Sequence, residues 1–239
     1  MELKYTSGYI YISPEDDCHK VVDAMLASNY NEEFCLAGDF NPDFIANLME
    51  AGFLVMSMNM AQEDEDPFYI LLPKLHLVRS ALFFENLHVK KSIRRLLNRY
   101  ELRANADFDY IIDRCVEKHG CDWLTPPLVE NIKKIREISD ISHNSPLVPC
   151  SKPYPFSFAL YRNGKFAAGE FGVVCGKVYT SYSGFYDEDN AGTVQIILTA
   201  YYLKENGFSF FDLGMPLDYK TGFGAVDISP ERFVQLFRP

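Results

Sequence analysis

The sequence predicts an α+β fold in two parts, a small N-terminal α/β domain (residues 1–76) and a larger mixed-sheet domain (residues 77–239). The first observation is the order of patterns in the larger part, where helices come first, then antiparallel hairpins, then one helix and one strand. The second is composition, because 48% hydrophobic and 15% aromatic residues in a chain of 239 suffice for a packed core. A doubly wound sheet is not predicted, since strands and helices do not alternate along the chain.

The N-terminal part contains one clear helix and one clear strand. Asn41 can cap a short helix, Pro42 suits its first turn and Gly52 suits its end. Residues 68–73 are typical of a strand. Between the two, residues 63–67 hold four consecutive acids and a proline, which predicts a solvated loop.

The larger part opens with another helical pattern. Apolar residues at helical spacing predict a helix from about Asn86 to Tyr100. The elements predicted after it are a strand (100–106), helices (107–120 and 126–139), two hairpins turning at Asn163-Gly164 and Gly176-Lys177, a helix (191–205) and a buried strand (208–214).

The charge balance limits the partners of the chain. A net charge of −10 and a pI of about 5.0 disfavour general affinity for nucleic acid, whose phosphates are anionic. One segment departs from this balance, with basic residues at Lys90, Lys91, Arg94, Arg95 and Arg99. Such a run is ordinarily a solvated helix face, but the concentration of one sign also fits an RNA-binding surface.

Cysteine spacing and hydropathy exclude several other classes. The six cysteines include no C-x-x-C pair, so we expect no metal and no cofactor, and a loose grouping of Cys115, His119 and Cys121 is a weak exception. The N-terminus lacks a signal-peptide pattern, and no stretch approaches the roughly 20 apolar residues of a membrane span. We therefore expect a cytoplasmic protein that does not act on a membrane.

Five stretches of the sequence, taken in order, resemble the leucyl/phenylalanyl-tRNA–protein transferases. The stretches are CLAGDFNPDFIANLMEAGF (35–53), LHVKKSIRRL (87–96), DWLTPPLVENIKKI (122–135), FAAGEFGVVCGKVYTSYSGF (166–185) and FDLGMPLDYKTGFGA (211–225). The resemblance implies an acetyltransferase-like (GNAT) larger domain. It also implies transfer of leucine or phenylalanine from aminoacyl-tRNA to acceptor proteins with a basic N-terminal residue, which marks them for N-end-rule degradation.

The chain departs from the family at several positions that the resemblance implies are functional. Tyr182 stands where the family has a glutamate, and Gly214 stands where the family has a glutamine two residues after an aspartate. That aspartate is retained as Asp212, and a family tryptophan is retained as Trp123. Glu170 takes the place of an apolar residue in the amino-acid pocket, so the donated amino acid can differ from leucine or phenylalanine.

Two carboxylates are the candidate catalytic residues. Asp212 ends a predicted buried strand, where it can hold and align the incoming amine; the alternative is that it caps the following turn. Glu170 is predicted to lie beside residue 182 across the second hairpin, where it could replace the family's glutamate. Two alternatives for Glu170 stay open, a side-chain pocket that favours a polar or basic aminoacyl group and an exposed position on an edge strand.

The remaining candidates are substrate-binding residues. Tyr182, Ser183 and Phe185 can form a thin aromatic wall that stacks on a terminal adenine, although core packing is the favoured interpretation for Phe185. Trp123 and Gly214 join them through the resemblance. The candidate RNA-binding residues are Lys90, Lys91, Arg94 and Arg95.

Two other functions remain as alternatives. A family member with altered motif residues could bind protein N-termini or RNA without catalysis. A coenzyme A-dependent acyltransferase is disfavoured, because the start of the helix at residue 191 follows three acids, which would repel a pyrophosphate.

Overall fold

The protein was analysed as a computed structural model that describes residues 2–28, 30–62, 65–139 and 149–238, without the side chain of Ser151. In chain order the helices and strands are β1 (Tyr5–Thr6), β2 (Tyr9–Ile10), α1 (Cys18–Ala27), α2 (Pro42–Ala51), β3 (Leu54–Asn59), β4 (Tyr69–Lys74), β5 (Arg79–Leu82), α3 (Lys91–Arg94), β6 (Glu101–Ala104), α4 (Phe108–His119), α5 (Pro126–Ile138), β7 (Cys150–Arg162), β8 (Lys165–Gly176), β9 (Val178–Tyr186), α6 (Ala191–Glu205), β10 (Phe210–Asp212), α7 (Asp218–Thr221), β11 (Val226–Ile228) and α8 (Pro230–Phe237).

The N-terminal region is built around α2 and the antiparallel pair β3–β4. The sequence prediction for α2 is confirmed, because the Asn41 side chain accepts a hydrogen bond from the Asp43 amide at 2.9 Å and Gly52 ends the helix with φ of 105°. In the predicted acidic loop, residues 63 and 64 lie outside the described residues, while Glu65 and Asp66 are exposed.

The larger region is a mixed sheet, which confirms the predicted α+β class. Among the described residues its strand order is β11-β5-β10-β9-β8-β7-β6, with β10 parallel to β9 and every other pairing antiparallel. Both predicted hairpin turns are confirmed. Asn163 and Gly164 both have positive φ, as a two-residue turn of this type requires, and Cys175 pairs with Val178 across the second turn.

The predicted helix from Asn86 to Tyr100 is wrong. This segment forms the single turn α3, with short 3₁₀ turns at Phe84–Asn86 and Leu97–Arg99. Lys91 has like-charged neighbours three and four residues later, which destabilises a continuous helix. The His88 amide donates instead to the Phe223 carbonyl at 2.8 Å, so tertiary contacts override the local apolar spacing.

The hydrophobic core crosses the predicted domain boundary. Phe53 from the N-terminal region packs in one buried cluster with Phe171 of β8 and Phe233 of α8. A second cluster, which includes Phe158 and Tyr179, covers the face of the sheet against α6. Strands β4 and β5 belong to different sheets, and a division into two domains at residues 76 and 77 stays a prediction.

A membrane span and a metal site are two features that the sequence argued against. None of the described helices has the length and apolar character that a membrane crossing needs. Within the same residues, no three side chains of the metal-ligating types gather around a common point. The loose grouping noted above is split in the fold, with Cys115 buried, Cys121 exposed and His119 Nε2 at 2.8 Å from the Gly184 carbonyl.

Candidate functional site

A large cavity of about 1310 Å³ opens where β9 and β10 part. Strand β10 pairs with Val178–Thr180, and β9 then runs on to Tyr186 beyond the last residue paired to β10. The wall opposite β9 comes from β3, β4 and the segment after β10, which contribute Leu54, Lys74 and Gly214. The diverging strands therefore create an open space at the middle of the sheet.

A β-bulge in β9 sets which side chains face this cavity. Phe171 pairs with Ser183 and Gly172 pairs with Ser181, so Tyr182 is the extra residue of β9. A glycine is required at position 172, because a Cβ there would lie 2.1 Å from the Thr180 carbonyl oxygen. The bulge shifts the side-chain alternation of β9 and brings Ser181, Tyr182 and Ser183 to the cavity wall.

Glu170 presents a buried carboxyl group in which one oxygen, Oε1, has no hydrogen-bond partner among the described residues. It pairs with Gly184 across the hairpin, two residues from the predicted neighbour at position 182, and it borders the cavity while only 6% exposed. Among the described residues, its Oε1 atom accepts no hydrogen bond. Burial raises the pKa of the carboxyl to about 7, against opposing influences from Tyr179, Lys220 and Ser181. The exposed edge-strand alternative for Glu170 is wrong, because β8 is an interior strand.

Asp212 is also buried, but both of its carboxylate oxygens accept hydrogen bonds. Its Oδ2 atom is 2.8 Å from the Arg79 Nη2 atom, and both carboxylate oxygens accept from Arg79 Nε at 3.0 and 2.9 Å. Thr180 Oγ1 and the Gly214 amide donate to it at 2.8 and 2.9 Å. The contact with Gly214 is the turn cap that the sequence left as the alternative. The Asp212 side chain does not border the cavity, and a direct catalytic role for it stays a prediction.

The predicted aromatic wall is partly realised. The half-buried Tyr182 borders the cavity, and its hydroxyl accepts from the Val55 amide at 3.3 Å. Ser183 also borders the cavity and is half-buried. Phe185 is buried and stacks on Phe166 with ring centroids 5.6 Å apart, in agreement with the core-packing interpretation.

Trp123 and Gly214 lie on the cavity wall as the resemblance implies. Sequence reasoning missed three histidines that border the same cavity, which are His76, His88 and His119. It gave little weight to Lys220, whose buried Nζ donates to the carbonyls of Leu213 and Met215 at 2.5 and 2.7 Å. No sequence pattern connects these four side chains, because they come from separate segments that only the fold brings together.

The predicted RNA-binding residues lie beside the cavity mouth. Lys90 borders the cavity, and Lys91, Arg94 and Arg95 are exposed nearby on α3 and the residue after it. In the part of the chain that the structure describes, none of the four takes part in an ion pair. Their charges are therefore available to an anionic partner.

Comparison with solved structures finds several remote likenesses. The fold matches FemX with a TM-score of 0.47 and 10% identity, over 95% of this chain and 81% of that one. It matches a GCN5-related N-acetyltransferase from Kribbella flavida with a TM-score of 0.36 and 12% identity, over 90% and 73% of the two chains.

Comparison of sequences finds curated relatives that share one name, leucyl/phenylalanyl-tRNA–protein transferase. The protein of Campylobacter lari is 24% identical over 214 residues, which is 89% of this chain and 92% of its own length. That of Maridesulfovibrio salexigens is 27% identical over 165 residues, and the match spans 63% of its length. The sequence model of the leucyl/phenylalanyl-tRNA protein transferase family matches residues 81–238, well over half of the chain. The chain thus belongs to this family of aminoacyl-tRNA–protein transferases, which are acyltransferases.

Proposed function

We propose that this protein transfers an aminoacyl group from aminoacyl-tRNA to the N-terminal α-amine of acceptor proteins, and so marks them for N-end-rule degradation. The observation that carries the proposal is the buried carboxyl of Glu170 on the wall of a large cavity, with its Oε1 atom unpartnered among the described residues. The acceptors begin with a basic residue, and the donated amino acid is leucine, phenylalanine or an altered choice.

The chemistry asks little covalent help from the protein. The ester of an aminoacyl-tRNA is already activated, so its carbonyl carbon forms a bond to the amine nitrogen and the bond to the ribose oxygen breaks. The acceptor amine arrives as an ammonium and must lose a proton before it attacks. A carboxylate of Glu170 can accept that proton, since its pKa of about 7 leaves much of it ionised near neutral pH. After the attack the nitrogen gives up a second proton, so that one of the two goes to the ribose oxygen that leaves and the other is released to solvent.

The size and lining of the cavity suit two substrates together. Drug-sized ligands occupy pockets of roughly 300–1,000 Å³, and this cavity of about 1310 Å³ exceeds that range. Tyr182 and Trp123 border it, where an aromatic ring can stack on a terminal adenine. Alignment of an amine against an ester in such a site contributes several kcal/mol, on the order of 7–11 kcal/mol in the best cases.

A transfer assay tests the proposal. Purified protein is mixed with a panel of labelled aminoacyl-tRNAs and a peptide that starts with arginine, and the same peptide with an acetylated N-terminus is the control. We expect label on the free peptide and none on the acetylated one. Binding of tRNA or peptide without transfer would support the alternative, a family member that binds N-termini or RNA. The absence of both transfer and binding would overturn the proposal and the alternative together.

The basic residues beside the cavity mouth give a separate test of the RNA partner. Reversing Lys91 and Arg94 to glutamate should weaken aminoacyl-tRNA binding and lower the steepness of its salt dependence, because fewer counterions are released. A matched control reverses Lys177 and Lys204, which are exposed and do not border the cavity. Equal affinity of wild type and the Lys91/Arg94 variant at every salt concentration would contradict this role.

A further inference from the structure

His76 is a buried imidazole on the cavity wall that forms no hydrogen bond within the described residues. It follows β4, is 3% exposed and borders the cavity. Among the described residues, neither of its ring nitrogens has a hydrogen-bond partner. Buried polar groups in native proteins are nearly always paired, so an orphaned imidazole that faces a cavity points to a ligand.

The two ring nitrogens lie in different surroundings. Nδ1 is 3.9 Å from Glu33 Oε1, too far for a hydrogen bond but close enough for the carboxylate charge to favour a proton on Nδ1. Glu33 is itself occupied, since it binds Lys74 Nζ at 2.9 Å and accepts from the Leu77 amide at 3.1 Å. With its proton on Nδ1, the ring presents Nε2 as a hydrogen-bond acceptor.

Gly214 lies between the buried Nε2 atom and the cavity. A Cβ at position 214 would lie 3.8 Å from His76 Nε2, and a longer side chain there would cover this atom. Gly214 has φ of 71°, a conformation that side-chain-bearing residues rarely adopt. Gly214 also borders the cavity, and it carries no side chain that would hold a bound molecule away from Nε2.

The charges around His76 select the chemistry of that molecule. Burial together with Arg79, Lys74 and Lys220 lowers the pKa of His76 to about 2, so the ring stays neutral and cannot serve as a base near neutral pH. Lys74 and Arg79 are paired with Glu33 and Asp212, whereas Lys220 forms no ion pair within the described residues, so its charge disfavours the acceptor ammonium on this side of the cavity. The group that fits Nε2 is therefore a neutral hydrogen-bond donor on an otherwise anionic molecule.

On an aminoacyl-tRNA this description fits the ribose hydroxyl beside the acyl ester. We propose that His76 Nε2 accepts a hydrogen bond from the 2′-hydroxyl of the terminal nucleotide and so holds the ribose and its 3′-ester in the cavity. This inference rests on the proposed function, and it assigns His76 as a binding residue, on the opposite wall from the proton acceptor Glu170.

The test uses two unreactive donor analogues, 3′-(phenylalanyl)amido-3′-deoxyadenosine and the same compound without its 2′-hydroxyl. Calorimetric titration of wild-type protein should show the hydroxyl form binding about fivefold to tenfold more tightly. His76→Phe keeps a ring of similar shape without polar atoms, and it should bind both analogues equally, as wild type binds the deoxy form. His76→Asn should restore part of the preference. His88→Phe is the matched control and should keep it.

A second readout is the ¹⁵N resonance of His76 Nε2, which should move with the hydroxyl analogue and stay in place with the deoxy analogue. The inference is overturned if wild type binds neither analogue or shows no preference, or if His76→Phe retains the preference. If wild type prefers the hydroxyl analogue but transfers no label to the peptide, the proposed function alone is contradicted. If wild type transfers label to the peptide but binds the two analogues equally, this inference alone is contradicted.

Discussion

Two buried carboxylates near the same cavity have opposite surroundings. Asp212 is 0% exposed, and it is held by the Arg79 guanidinium, a threonine hydroxyl and a backbone amide. Glu170 is 6% exposed, and its Oε1 atom has no partner among the described residues. The first lies at the end of β10, and the second lies two strands away in β8.

The difference shows how partners decide the use of a buried charge. A carboxylate that meets an arginine and several donors is stabilised in its ionised form and becomes part of the framework. A carboxyl whose burial outweighs its hydrogen bonds keeps its proton to higher pH and can exchange it with a substrate. We therefore propose that Asp212 supports the structure around the cavity and that Glu170 transfers the proton, whereas the resemblance alone favoured Asp212 as the catalytic residue.

The largest expected effect comes from removing the exchangeable proton of Glu170. Glu170→Gln should lower single-turnover peptide transfer by roughly 10²–10⁴-fold, the range that general acid–base groups contribute. Glu170→Ala should lose transfer as well. The measurement is the rate of label transfer at saturating aminoacyl-tRNA, and Asp189→Asn, which removes an exposed carboxylate at the same cavity, should stay close to wild type.

An active Glu170→Ala variant with an unchanged choice of donor would end both the proton-transfer role and the pocket-specificity role of this residue. A change in the preferred aminoacyl group without loss of rate would instead favour the pocket role. The two outcomes separate the alternatives that the sequence left open.

The next effect concerns stability and belongs to Asp212. Asp212→Asn leaves the Arg79 guanidinium buried and charged without its counterion, so it should lower the free energy of unfolding by about 3–5 kcal/mol. Urea unfolding measures this loss. Glu170→Gln, which breaks no hydrogen bond to Oε1, should not lower stability comparably.

A double variant sharpens the same point. Replacing Asp212 with leucine and Arg79 with methionine removes both charges together, so the loss should be smaller than the sum of the two single losses. If Asp212→Asn unfolded like wild type yet had lost transfer, the assignment of the two carboxylates would have to be exchanged.

The sequence predicted the parts of this arrangement that depend on local chemistry. The Asn163-Gly164 turn and the ends of α2 follow from residues that suit left-handed or capping conformations, and the short turn after β8 placed Glu170 beside β9. The bulge at Tyr182 was not predicted, since it depends on a close approach of Gly172 to the neighbouring strand.

Contacts between segments that are distant in the sequence were not predicted. Arg79 lies 133 residues from Asp212 in the sequence, and neither local pattern predicts their pairing. The surroundings of His76 likewise depend on Glu33 and Gly214, which lie far from it in the sequence. The helix predicted from Asn86 to Tyr100 failed for a related reason, because contacts with residues near 223 compete with its local apolar spacing.

The smallest predicted effect is the pH dependence of stability that Glu170 imposes. Its pKa is about 7 in the folded protein and 4.5 when exposed, so between these values the folded state binds more protons than the unfolded one. Stability from the protonated carboxyl is therefore fully present below about pH 4.5 and is lost as pH rises to 7. Glu170→Gln keeps a neutral side chain throughout, and it should escape this loss of up to roughly 3 kcal/mol.

Urea unfolding of wild type and Glu170→Gln at pH 5.0 and 7.5 measures the effect as a difference of differences, in which the contributions of His76 and the other unchanged groups largely cancel. The upper pH stays below the pKa of Lys220, which burial lowers to about 8, so this neighbouring charge is largely retained. We expect the free energy of unfolding of Glu170→Gln, relative to that of wild type, to be higher at pH 7.5 than at pH 5.0. An identical difference at both would mean that the Glu170 carboxyl is solvated or paired in the folded state, and it would then resemble Asp212 rather than contrast with it.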